Sequence, residues 1–144
     1  MKNLLLLVVL VFTFGTLANA QSGKQIAVHI SFDFYVQNQK LTAGDYFIES
    51  VSPQSNQSTL IFRQKDGKAK KILMTIPIEL KDDRKSFEPT MLFNRYGEEY
   101  FLAEIRNPLE RLGFGLTATK SEKSLAKRFG KPIQETVAMS SVKK

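Results

Sequence analysis

Residues 26–36 alternate without interruption. Ile26, Val28, Ile30, Phe32, Phe34 and Val36 occupy every second position, separated by Ala27, His29, Ser31, Asp33 and Tyr35. A period of two is the repeat of extended backbone, so the spacing predicts one long strand with a single buried face. Gln37 to Lys40 is a polar break, after which Leu41 to Ile48 reads as a second strand. Gly44 supplies the backbone freedom a turn needs before that strand begins. An antiparallel pair that starts a sheet is the expected product.

The pattern continues in hairpins. Val51 to Ser58 is a polar loop, and its Asn56-Gln57-Ser58 matches a glycosylation acceptor that common chance explains. Thr59 to Gln64 and Ala69 to Ile78 flank Lys65-Asp66-Gly67-Lys68. A two-residue Asp66-Gly67 turn would set Phe62 opposite Lys71 and put Leu60 on the other face from Ile72, Met74, Ile76 and Ile78. A three-residue loop with Gly67 left-handed pairs Leu60 with Ile72 instead, and all the even-numbered apolar residues then share one face. That loop is the expectation. Pro77 cannot donate to a ladder, so the strand should end, bend or lie at an edge there. Thr90 to Asn94 and Tyr100 to Arg106 form the next hairpin around Arg95-Tyr96-Gly97-Glu98-Glu99, with Met91 and Phe101 on one face. Tyr100-Phe101-Leu102 is apolar on both faces, as for a strand covered twice. Asn107-Pro108 stops that strand. Gly113-Phe114-Gly115 reads as a flexible bend; it lacks the third glycine and the strand-to-helix setting of a dinucleotide site. Thr119-Lys120-Ser121-Glu122 has the form of a capping box opening a helix over 120–129, closed by Gly130. Residues 131–144 read as a basic, flexible tail.

Before the first strand, Lys2, the apolar run Leu4 to Phe12 and Ala18-Asn19-Ala20 make up a secretory signal, with cleavage expected between Ala20 and Gln21. The run is too short to span a bilayer, and no later window approaches the length a membrane helix needs. The expected location is the periplasm or the extracellular space, with no transmembrane segment in the mature chain. The chain has no cysteine, which removes disulfides, thiolate metal sites and thiol catalysis. With Lys2 removed, 20 basic and 14 acidic residues leave +6, of which residues 120–144, with seven basic and two acidic, carry +5. A basic tail of this kind suits an anionic envelope surface. Export and a near-neutral domain argue against nucleic acid.

Catalytic constellations are sparse. His29 is the only histidine and lies opposite the apolar face, with no Gly-x-Ser-x-Gly motif to supply a nucleophile. Asp33, Asp45, Glu49, Glu79 and Glu104 fall on or near strands, and a glycosidase-like pair could be drawn from them, but no spacing rule selects one. Lys81-Asp82-Asp83-Arg84-Lys85 lacks the regular ligand spacing of a calcium loop. No metal and no cofactor are therefore expected. The candidate binding residues are Arg95 and Tyr96, placed at a hairpin tip where they would contact a polymer or partner.

The segments Ile30-Ser31-Phe32-Asp33-Phe34-Tyr35-Val36, Leu41-Thr42-Ala43-Gly44-Asp45-Tyr46, Asp66-Gly67-Lys68 and Phe93-Asn94-Arg95-Tyr96-Gly97-Glu98-Glu99-Tyr100-Phe101-Leu102 resemble those of a group of small exported bacterial proteins of the acidobacterial type. The likeness spans about residues 25–129, and the last motif is the most specific. Members carry proline where this chain has Thr42. The resemblance implies one exported β-rich domain with a short C-terminal helix, and it brings no activity, cofactor or catalytic residue. The residues themselves predict a mainly β fold of about six antiparallel strands in hairpins, rolled into a small barrel or two-layer sandwich. Three functions are compatible with this reading. The first is a non-enzymatic binding or envelope-associated protein, the second a small hydrolase acting on envelope polymers through carboxylates, and the third a self-associating structural component.

Overall fold

A computed structural model describes residues 25–50, 59–80, 88–107 and 112–142. The expected signal and its Ala20–Gln21 cleavage site, the acceptor at Asn56 and the Lys81–Lys85 run lie outside the described residues. Within them the chain is mainly β with one helix: β1 (Gln25–Ile30), β2 (Phe34–Val36), β3 (Gln39–Leu41), β4 (Gly44–Ser50), β5 (Thr59–Gln64), β6 (Lys70–Met74), β7 (Ile76–Glu79), β8 (Thr90–Tyr96), β9 (Glu99–Asn107), β10 (Leu112–Gly115), α1 (Lys120–Phe129), β11 (Ile133–Ala138) and β12 (Ser140–Ser141). The expected class is right, but the described residues form about twice as many strands as predicted. Three runs bend from one sheet into the other and so count twice, and β3, β10 and β11 form where a polar break, a bend and a tail were expected.

One sheet has the order β12-β1-β4-β5-β6, and the other β11-β8-β9-β10-β7, with β2 beside β9 and β3 on β2. Among the described residues, all pairings are antiparallel except one parallel bridge between Tyr35 and Phe101. Only Thr75 separates β6 from β7, and only Met139 separates β11 from β12. At two corners, then, one run of chain serves both sheets, as strands do when two sheets pack across each other. Pro77 sits just past the first corner, on the last strand of its sheet and opposite Phe114, where a missing N–H is tolerated.

The predicted long strand also turns a corner, at Ser31–Asp33. Its β1 part pairs with β4 as expected, from Gln25–Glu49 to Ile30–Gly44, while β2 joins the other sheet. The polar break conceals a hairpin: Phe34–Leu41 and Val36–Gln39 pair across Gln37-Asn38, with Gln37 at φ 56°. The alternation nevertheless assigns the faces correctly, since Val28, Ile30, Phe34 and Val36 are all buried. Phe34 lies at the centre of the core, with ring centroids 5.4 Å from Tyr46, 6.0 Å from Phe62 and 5.5 Å from Phe93. The Tyr46 hydroxyl donates to the Thr42 carbonyl at 2.6 Å, and burial pushes its pKa up.

The β5–β6 register differs from the expected one. Leu60 pairs with Leu73, Ile61 with Ile72 and Phe62 with Lys71. The loop comprises residues 65–68, closed by Gln64 N–H to Ala69 O at 2.8 Å and Gly67 N–H to Gln64 O at 2.9 Å, with Gly67 left-handed at φ 76°. Four loop residues preserve the parity of two, so the expected three-residue loop is wrong, although the left-handed Gly67 is right. The Asp66 carboxylate accepts the Lys68 backbone N–H at 3.0 Å, which holds its pKa below the usual value.

In the β8–β9 hairpin Tyr96 pairs with Glu99 across a two-residue Gly97-Glu98 turn. The register shifts between Phe93–Leu102 and Leu92–Glu104, leaving Ala103 as the extra residue of a bulge. Met91 and Phe101 therefore face opposite ways, contrary to expectation. Met91 faces the core, whereas Phe101 lies on the outer face with Leu92 and Tyr96, all three buried. This is the double covering expected of Tyr100-Phe101-Leu102. The outer side is covered by α1, which packs on β8, and by Tyr35, stacked on Phe101 at 4.8 Å.

Gly113-Phe114-Gly115 is strand β10 rather than a bend, held between β7 and β9. A Cβ on Gly115 would come within 2.7 Å of Ile78 Cδ1, and one on Gly113 within 2.9 Å of Leu80 Cδ2. The two glycines make room for neighbouring side chains. Helix α1 covers the predicted span: the Thr119 hydroxyl accepts the Glu122 N–H at 3.2 Å, and Gly130, at φ 81°, donates to Ala126 O at 2.9 Å. Removing the cap with Thr119→Ala should cost about 1 kcal/mol, read as a lowered urea midpoint with an unchanged slope. The residues after Gly130 are not a flexible tail up to Val142: β11 pairs with β8 over six positions and β12 pairs with β1, with Met139 buried between them. The weak alternation of Ile133, Val137 and Met139, compatible in the sequence with no more than transient docking, is the strand signal, and Val137 and Met139 pack on the core.

Candidate functional site

Arg95 and Tyr96 do not form an exposed tip. Tyr96 is buried on the outer face of its sheet, where burial, and after it the charge of Glu122, pushes its hydroxyl pKa up. Arg95 points the other way. Its guanidinium lies 3.5 Å from the Tyr100 hydroxyl and 3.7 Å from Glu135 Oε1, and the Tyr100 contact holds its pKa above the usual value. Two adjacent strand residues face opposite sides, so they cannot make one surface.

The candidate carboxylates are likewise dispersed. Asp33 accepts the Ala43 N–H at 3.0 Å, with Lys40 at 3.9 Å. Glu49 takes Gln25 Nε2 at 2.6 Å and Arg63 at 3.5 Å, and Glu104 pairs with Arg106 at 2.6 Å. Glu79 sits exposed on β7. Asp45 pairs with His29 Nδ1 at 2.7 Å, both side chains more than half exposed, at the rim of an open depression of about 410 Å³ that Phe47, Lys65 and Ser140 also line. An ion pair or hydrogen bond this open to water is worth little to the fold. Among the described residues no three His, Asp or Glu side chains come together as a metal site would require, and no helix is long and apolar enough to cross a membrane.

The site with no explanation in the fold is on β6 and β7. Leu60, Phe62 and Leu73 point into the core, at 3%, 1% and 0% exposure. Ile72 and Met74, paired with Ile61 and Thr59, therefore stand on the outside of the sheet. Beyond the corner, Ile76 and Ile78 pair with Gly115 and Gly113, while the intervening Phe114 packs on the core, so both isoleucines also face out. Ile78 lies down over the two glycines. Ile72, Met74 and Ile76 remain upright and are 57%, 79% and 58% exposed. The four side chains make a rib about 20 Å long on the outer surface.

One end of the rib is basic. Lys70 shares its outer face and lies opposite Arg63, and the adjoining loop adds Lys65 and Lys68. Lys71, opposite the core residue Phe62, faces the other way; on the outer face Glu49 pairs with Arg63 at 3.5 Å and Asp66 with Lys68 at 3.2 Å, which leaves the basic side chains in excess. The periodicity of the rib was visible in the sequence but was assigned to the core. The signal that would have corrected it is Leu73, which an inward-facing Ile72 would leave exposed; Lys71, which that register would set in solvent at no cost, points the other way.

The class these features define is a two-sheet antiparallel β domain with strand-sharing corners, carrying an apolar rib and a basic hairpin on its outside. No known protein family, curated protein or solved structure matches the chain.

Proposed function

We propose that this is an exported, non-enzymatic binding protein that holds its partner against the outside of the bent strand β6–β7. The observation that carries the reading is the rib: three large apolar side chains in line, each more than half exposed, are a contiguous patch rather than the scattered singles of an ordinary surface. Export is supported by Lys2, the Leu4–Phe12 run and Ala18-Asn19-Ala20. The separation of Asp33, Glu49, Glu79 and Glu104, each on a different part of the fold, favours binding over carboxylate-driven hydrolysis. Lys65, Lys68 and Lys70 beside the rib disfavour face-to-face pairing of two copies, because like charges would meet.

The test is a heat-denaturation shift screen of the purified protein against envelope glycans, lipids and small metabolites, run in parallel on Met74→Glu/Ile76→Glu. Both substituted side chains face water, so the variant should melt within a few degrees of the wild type. A ligand at a hundred times its Kd should add about 2.7 kcal/mol to the wild type, and the rib variant should lose most of that gain. Shifts of equal size in both proteins would move the binding site elsewhere and end the proposal.

A further inference from the structure

We infer that the partner of the rib is the anionic surface of a lipid bilayer, an assignment that rests on the binding reading above and names its chemistry. The rib is a convex row of outward side chains, not a groove, and a soft acyl layer can receive a ridge without a shaped counterpart. Its residues are Ile72, Met74 and Ile76, flexible or aliphatic, with none of the Trp, Tyr or Arg anchors that dominate protein–protein contacts. The charge beside it has the complementary sign. Lys65, Lys68 and Lys70 sit at one end of the row, beside the Arg63–Glu49 pair, where basic side chains can reach phosphate headgroups while their stems lie along the apolar region. Apolar insertion next to basic residues is the combination that holds peripheral proteins on anionic membranes, neither element being sufficient alone. An extended acidic segment of another protein would answer the charge but not the upright row, whose side chains would stay in water.

The experiment is co-sedimentation of the purified protein with vesicles of equal parts phosphatidylglycerol and phosphatidylethanolamine, at low and high salt, beside vesicles of phosphatidylcholine alone. The expected result is binding to the anionic vesicles that weakens steeply with salt, and little binding to phosphatidylcholine. Lys65→Gln/Lys70→Gln should lower the partition coefficient about 30-fold, near fivefold for each lysine, and Met74→Ser/Ile76→Ser by at least tenfold. Circular dichroism and melting temperature verify that both variants fold. Undiminished binding by both variants would place the membrane contact elsewhere and overturn the inference. Absence of vesicle binding, with the dye anilinonaphthalene sulfonate still fluorescing on the wild type and not on the rib variant, would overturn the lipid assignment and leave the rib as a binding surface. Rib-dependent binding of a glutamate–leucine copolymer without vesicle binding would replace the lipid by an acidic protein segment. If neither vesicles nor dye distinguish wild type from rib variant, the binding reading falls as well.

Discussion

Phe34→Ala should remove about 3–5 kcal/mol of stability, enough to leave a domain of ordinary stability, about 5–15 kcal/mol, marginal or unfolded. Phe34 opens β2, immediately after the chain has turned from one sheet to the other, and its ring is completely buried. It touches rings from both sides of the fold: Tyr46 and Phe62 from the first sheet, Phe93 from the second. Truncation therefore opens a cavity where the sheets meet, and three neighbouring rings held by their own strand pairings cannot all collapse into it. Urea denaturation followed by tyrosine fluorescence and circular dichroism reads the loss. The comparison is Tyr35→Ala, one residue on and facing outward against Phe101, which should cost about 1 kcal/mol. Should Phe34→Ala cost no more than Tyr35→Ala, the two sheets would not share a core at this corner.

The same pair of neighbours shows which aspects of the fold are legible in the sequence. Alternation from Ile26 to Val36 reports inside and outside, and it holds through the turn at Ser31–Asp33 because each side of the corner faces the same core. It contains no term for which sheet a strand joins, so the corner itself was invisible. Local chemistry was legible where a backbone group needs a particular partner: Thr119 caps α1, Gly130 closes it, and Gly67 takes a left-handed turn position. Register was not legible. In β5–β6 the apolar parity was read as if every large residue sought the core, and the structure resolves the conflict by burying Leu73 and exposing Ile72, Met74 and Ile76. In β10 glycine was taken as freedom, yet Gly113 and Gly115 are small because Ile78 and Leu80 occupy the space of their absent side chains. The candidate site suffered from the same ambiguity. Arg95 and Tyr96 stand out as polar and aromatic neighbours beside a glycine, but the strand extends two residues past Asn94, to Tyr96, and alternation separates the two. The rib stayed hidden because exposed apolar residues and core residues carry the same signal until the register is known.

Asn94→Leu should cost about 3 kcal/mol, and the loss should arise in α1 rather than in the sheet. Glu122 is 6% exposed beneath the first turn of the helix, and its Oε1 accepts from Asn94 Nδ2 at 3.0 Å. The expected reach of Glu122 back to the helix start gives way to this contact, which pins the helix over Leu92, Tyr96 and Phe101. Leucine at 94 leaves the carboxylate buried without its donor, and an orphaned charge costs more than the hydrogen bond that was removed. The helix is ten residues long, too short to persist alone, so it should detach as a unit instead of readjusting. Hydrogen exchange should show amides of 123–129 losing protection while those of β4 and β5 keep theirs. Adding Glu122→Leu to Asn94→Leu should restore stability to within about 1 kcal/mol of the wild type, because an apolar pair needs no partner beneath the helix. That recovery separates a charge left unsatisfied from a helix merely repelled by a bulkier side chain: in the second case the double variant, carrying two leucines in the same space, would be no better than the single. If the two leucines do serve stability as well, orientation is the role left to the carboxylate–amide pair. The pair would then set which face of α1 meets β8, and with it the line along which the chain returns through Gly130 to lay β11 beside β8 at the edge of the sheet.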